Sequence, residues 1–275
     1  MEMAKLTRIH SGGSRPPLAK ARRGLTLTEL LIAGTIMTML AAGMGTLVMT
    51  VHAANEFCRG QAVAAQHARV ALDRIQRSVR TAEASEHFPG CLVVSQPAGG
   101  WEFPDTLVVW KPEGNAADPN GLPRVNELLL FTPDPLAPSR LIELRAPDRT
   151  GAAPAASDAA GWAALVDDLK ASGSSVKNEL TDRLRTGAVT EDGTDLRGCI
   201  RFRVQMGPTA GEWAAYRGGT RTWDSLAWPL DQYSTRAGLR RVVCQTELHI
   251  LPGDSASQSA VPFFGSAALS YELQR

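Results

Sequence analysis

The residues whose types and spacing suggest chemistry sit together near the N-terminus: Gly24, Leu25, Thr26, Leu27, Thr28 and Glu29, preceded by Arg22 and Arg23. Glu29 stands directly before an uncharged run, residues 30–51. At a rise of 1.5 Å per residue, a helix over that run covers about 33 Å, enough to cross the hydrocarbon core of a bilayer. A charge at the centre of such a span costs roughly 2.5–3.5 kcal/mol on insertion scales. Glu29 lies nearer the interface and costs less, yet it is poorly placed unless it meets a cation. A cut after Gly24 gives Leu25 a free amine four residues before Glu29, and the amine of this chain or of a neighbour is then a partner within reach. The implied chemistry is a peptide cleavage followed by an amine–carboxylate ion pair where little water screens it.

Other groupings point to less. His52, His67, His87 and His249 share no spacing. Asp167-Asp168 and Glu191-Asp192 lie in polar sequence and read as solvated charges; a calcium loop needs further acids at alternating positions. No phosphate loop or Ser/His/Asp arrangement stands out, so the chain reads as a non-enzyme without cofactor or metal. Cys58, Cys91, Cys199 and Cys244 form no C-x-x-C and no metal-spaced Cys/His pair. If a helix runs from Cys58 to Ala84, its end is about 39 Å away, while the stretch from Ala84 to Cys91 extends at most about 25 Å. That excludes a Cys58–Cys91 bridge. A disulfide among Cys91, Cys199 and Cys244, or free buried thiols, both remain open. Residues 211–233 hold Trp213, Tyr216, Trp223, Trp228 and Tyr233, either as rings packed on a sheet or as a ligand surface.

These residues need elements to hold them. Residues 1–24 carry six basic residues against the single acid Glu2, a net +5 within a whole-chain charge of +1, which leaves −4 on the rest. A basic leader before an apolar span places the N-terminus in the cytoplasm and the body across the membrane, and an acidic body argues against a nucleic-acid partner. Helical patterning continues past the span: Phe57, Ala64, Ala68, Ala71, Ile75, Val79 and Ala82 recur at three- and four-residue steps. The spacing predicts one helix over residues 25–84, about 90 Å if unbroken, ending near Pro89 and Gly90.

Beyond it, short apolar runs predict strands at residues 91–95, 106–110, 127–132, 140–144, 199–206, 240–251 and 268–273. An Ala/Gly/Ser/Asp-rich stretch, 151–195, reads as an insertion with helices at 162–170 and 176–184. Residues 211–233 read as a loop or wide hairpin. The expected class is α+β, with a long N-terminal helix packed by its second half on one face of an antiparallel sheet. The organisation expected is a leader at 1–24, a membrane helix at 25–52 and a body at 53–275.

The segment from Arg22 to Ala84 resembles the type IV pilin-like family, whose precursors carry a glycine, an apolar residue, Thr or Ser, Leu, a fourth residue and then Glu. Here these are Gly24, Leu25, Thr26, Leu27, Thr28 and Glu29. The resemblance implies that Gly24 is the cleavage-site glycine, Leu25 the new N-methylated terminus, and Glu29 the carboxylate that pairs with a neighbour's amine during assembly. Leu25 replaces the usual Phe, Thr28 the usual branched apolar residue, and no proline stands near Thr46. With the large body, this is most similar to a W-type minor pilin or a J-type minor pseudopilin of type II secretion. The implied partners are other pilin or pseudopilin subunits, prepilin peptidase, an inner-membrane assembly platform and membrane lipid. The implied location is the inner membrane with a periplasmic body, later a periplasmic or surface filament. Three other readings of the same residues stand beside it: a signal peptide cut near Ala53, a plain single-span anchor, and a membrane-anchored periplasmic binding module or adhesin using the Trp-rich stretch.

Overall fold

The computed structural model describes residues 24–190, 195–253 and 259–275. Two compact units divide the chain, with the boundary between Ala54 and Asn55. The acidic pair Glu191-Asp192 and all of the basic leader before Gly24 lie outside the described residues.

Helix α1 runs Leu27–Arg80. Its uncharged run, residues 30–51, contains four hydroxyl side chains, and each is satisfied within the helix. Thr35, Thr38, Thr46 and Thr50 donate to the carbonyls of Ile32, Thr35, Gly43 and Thr46 at 2.8–2.9 Å. This back-bonding leaves the surface of the segment without an unmet donor, as a lipid environment demands. The second part is amphipathic. Ala64, Ala68, Ala71, Ile75 and Val79 are buried, matching the expected stripe. Phe57, expected on that stripe, is 66% exposed: the sheet covers the helix only from about Gly60 onward. The helix stops short of Ala84 because its backbone is diverted, Glu83 N–H donating to the Trp110 carbonyl at 2.9 Å. Gly90, at φ +83°, then turns the chain into the first strand; a Cβ there would meet the Glu83 carbonyl at 2.9 Å.

The body is built on two antiparallel sheets. Strands β1 (Cys91–Ala98), β2 (Trp101–Trp110), β3 (Leu128–Asp134), β4 (Ala137–Arg145) and β5 (Val176–Thr181) form one, in sequence order. The short pair β6 (Thr186–Ala188) and β7 (Leu196–Gly198) follows. Strands β8 (Ile200–Gly207), β9 (Ala237–Ile250) and β10 (Val261–Gln274) form the other, in the order β10-β9-β8. The class is therefore α+β, a long apolar N-terminal helix with antiparallel sheets.

One face of the five-stranded sheet lies against the helical stripe, as expected; the other is covered as well. Leu107, Val109, Leu129 and Phe131 join the α1 stripe and the second sheet in one core. Their neighbours Val108, Trp110, Leu128 and Leu130 join a second core against helix α2 (Ala159–Ala171). Burial on both faces is why these strands read as unbroken apolar runs. The expectation of a helix over residues 176–184 is corrected, since none of them is helical. β5 pairs with β4 from Arg145↔Val176 to Leu141↔Thr181 and supplies the partner that β4's outer edge needs. α2 itself lies within the expected insertion and packs through Trp162, Val166 and Leu169, with Asp158 accepting from Gly161 N–H at its start.

Candidate functional site at the start of the apolar helix

The six residues around Glu29 are placed by a local device. α1 opens with a reciprocal cap: Glu29 N–H donates to Thr26 Oγ1 at 3.3 Å, and Glu29 Oε2 accepts from Thr26 N–H and Oγ1, each at 2.9 Å. The pattern Thr-x-x-Glu is the capping-box signature, in which two otherwise orphaned donors at a helix N-terminus are satisfied. The helix N-terminus also carries partial positive charge, which favours a carboxylate in its first turn. Glu29 thus has a cation-like environment within its own helix. Its other oxygen, Oε1, accepts from none of the described residues, so one face of the carboxylate is open.

Gly24 and Leu25 precede the cap as exposed, non-helical chain. Gly24 has nothing within 4 Å of a Cβ position, so the bond after it is accessible. Every residue from Gly24 to Arg59 is exposed, including Leu30, Leu31, Ile36, Leu40, Leu47 and Val51 at 53–64%. α1 is long and apolar enough to cross a membrane, and it is the one such helix among the described residues. Gly34, Gly43 and Gly45 each face open space at the Cβ position, leaving shallow places where another helix backbone can approach.

The other candidates are placed elsewhere and apart. The stretch expected as a loop over 211–233 is helix α3 (Ala210–Arg217), capped by the same signature through Thr209 and Glu212, followed by 3₁₀ turns at Trp223–Ser225 and Pro229–Asp231. Its aromatics form a satellite core. Trp213, Trp223 and Trp228 are 1–7% exposed, and Trp223 and Trp228 rings lie 4.6 Å apart. Their indole N–H groups donate to the Ser234 and Trp223 carbonyls. These rings are committed to packing.

The four cysteines are free, with Cys91 and Cys244 buried in the core beneath α1. Burial raises the pKa of Cys91, and that of Cys244 to about 12, so both are protonated and unreactive thiols at neutral pH. His67 meets Thr181, and His249 meets Glu247. Asp168 pairs with Arg149 at 2.8 Å, and Asp167 accepts from Gln96, so this acidic pair is engaged rather than merely solvated. No group of three or more potential metal ligands occurs among the described residues.

No family model, curated protein or solved structure matches the chain. What stands at this point is an exposed apolar helix compatible with a single-pass membrane anchor, opened by a capped carboxylate and carrying a folded α+β body. Within the motif Thr26 has a further role as the helix cap, and its signal in the sequence is Thr three residues before Glu.

Proposed function

We propose that this chain is a structural subunit of a membrane-derived filament, of the minor pilin or minor pseudopilin kind. The observation that carries the reading is the exposed apolar surface of residues 30–51, headed by a glutamate with one free oxygen. Lipid covers such a surface in the precursor, and the equivalent surfaces of neighbouring subunits cover it in a fibre. Prepilin peptidase cuts after Gly24, the basic leader stays in the cytoplasm, and Leu25 becomes an N-methylated terminus. The body lies in the periplasm. At the assembly platform, Glu29 Oε1 takes the terminal amine of a subunit already in the fibre. With little water nearby, that pair sets the axial register.

The cap gives Glu29 a second duty, and the experiment must separate the two. Glu29→Gln keeps an oxygen for the Thr26 cap but removes the charge. Thr26→Ala removes the cap's hydroxyl but keeps the charge. The proposal expects Glu29→Gln to insert and be cleaved normally yet fail to enter fibres, and Thr26→Ala to assemble. If Glu29→Gln assembles like the wild type while Thr26→Ala does not, the carboxylate is a helix cap and the assembly role is wrong. Gly24→Leu should hold the chain at precursor size. N-terminal sequencing of the mature protein should begin at methylated Leu25; Ala54 would mean a signal peptide, and Met1 a plain anchor.

A further inference from the structure

The β8–β9–β10 sheet turns one face to the core and leaves the other in water. Alternation sends Ile200, Phe202, Val242, Cys244 and Leu248 inward, and Arg201, Arg203, Arg241, Gln245 and Glu247 outward. The register continues the outer face onto β10. Arg201, Glu247 and Phe264 form one rung across the three strands, and Arg203, Gln245 and Ser266 form the next. A groove of about 490 Å³ lies over these two rungs, between the arginines of β8 and Phe264 of β10.

The charges of the groove are uneven. Two arginines line it against one carboxylate, and Glu247 Oε1 already lies 2.9 Å from His249 Nε2. Arg201 stands across from Glu247 in the register, yet the side chains of Arg201 and Arg203 make no hydrogen bond or ion pair among the described residues. Arg241, farther along the same face beside Ser270, is a third exposed and unpaired guanidinium; Glu272 stands beyond it, beside Leu239. Phe264 is 70% exposed, although it sits within a strand of 14 residues. A ring in water beside two unpaired guanidiniums suits a partner that is both anionic and apolar.

Spacing narrows the partner further. β8 and β10 are two strand spacings apart, about 10 Å, which is room for one extended chain. Arg201 and Arg203 are about 6.8 Å apart along β8, the step between side chains i and i+2 of an extended chain. The side chain between those two points the opposite way, toward Phe264.

We propose that this groove holds an extended acidic segment of a partner protein, with the pattern acid–apolar–acid. The two carboxylates take Arg201 and Arg203 in charge-assisted hydrogen bonds, and the apolar side chain between them lies on the Phe264 ring. A nucleic-acid strand is also anionic, but its affinity is built from many phosphate contacts. This face offers three arginines, with Glu247 and Glu272 among them, on a body of net charge −4. The surface is independent of the filament reading.

Calorimetry on the full chain in uncharged detergent micelles, with heats into empty micelles subtracted, tests it. The probes are acetyl-Glu-Leu-Glu-Leu-Glu-amide, its counterpart with glutamine for every glutamate, and a decathymidine strand. The acidic peptide should bind at least about tenfold more tightly than the glutamine peptide, and the difference should shrink as salt rises. Arg201→Gln and Arg203→Gln should each weaken the acidic peptide by about fivefold, with the melting temperature little changed because both side chains are exposed. Phe264→Ser should weaken both peptides alike, since both carry the leucines. Equal affinity for the two peptides, no heat from either, or undiminished binding when both arginines are replaced overturns the proposal. Tighter binding of the decathymidine strand than of the acidic peptide also overturns it.

Discussion

The two parts of α1 are one helix by backbone geometry and two different objects by surface. Before Ala54 the residues are mostly apolar and exposed; from Ala64 to Val79 a narrow stripe of Ala64, Ala68, Ala71, Ile75 and Val79 is 0–1% exposed, while Val70 on the other side is 55% exposed. The buried stripe is mostly alanine, whereas the exposed part is rich in Leu, Ile and Met with glycines between. A stripe with a polar opposite face describes a helix with a fixed partner in its own chain. A helix greasy on all sides describes one whose partners, lipid or other helices, are outside it. The same hydrophobic effect thus does two jobs, and only the pattern around the helix distinguishes them.

Matched substitutions in the two parts test this contrast. Ile75→Ala, in the buried stripe, should destabilise the body by about 2–5 kcal/mol, read from denaturant unfolding followed by tryptophan fluorescence. Ile36→Ala should leave that transition within about 0.5 kcal/mol. Equal losses at both positions would mean that the exposed part is also folded onto something within the chain. Next in size is Arg74→Met. Arg74 Nε and Nη2 hold the buried Glu143 at 2.5 and 2.6 Å, fixing the stripe's polar flank to β4. Removing it strands a carboxylate 4% exposed, with Arg145 at 4.0 Å and Lys111 nearby as weaker cationic neighbours. The loss should be about 3 kcal/mol, and Arg74→Lys should recover only part of it because the bidentate fork is gone.

A smaller effect concerns α2, which covers the opposite face of the same sheet. Burial lowers the folded pKa of Lys170 to about 8, so between there and its ordinary value near 10.5 the unfolded chain binds more protons than the folded one. Its contribution to stability therefore rises as pH increases from about 8 to 10.5 and is unfavourable below. The buried thiols and Tyr271, whose pKa values are raised by burial, work in the reverse sense over the upper part of that window. The difference between wild type and Lys170→Met isolates the lysine: wild type should gain on the variant across this range. A constant difference would show that the amine is not desolvated as described.

Local patterns in the chain determined most of its elements. The uncharged run before a three-and-four-residue stripe specifies the two characters of α1, because a 3.6-residue period leaves its mark without reference to anything distant. The runs around Val108 and Leu129 specify strands, and the Gly24–Glu29 segment marks a site by composition alone. The capping boxes at Thr26–Glu29 and Thr209–Glu212 are equally local, and the second marks the start of α3 within a stretch whose Gly and aromatic content reads as a loop. Other features needed the tertiary structure. That 176–181 is a strand depends on β4 having an open edge, since its own residues alternate too weakly to choose. That Trp223 and Trp228 are packed rather than presented depends on Leu273 and Tyr271, some forty residues on, closing over them. Gln96, Asp105, Lys170 and Arg197 come from β1, β2, α2 and β7, and their convergence is a product of topology. Periodicity reports the environment of one segment; a meeting of side chains from four segments is written only in the way those segments pack.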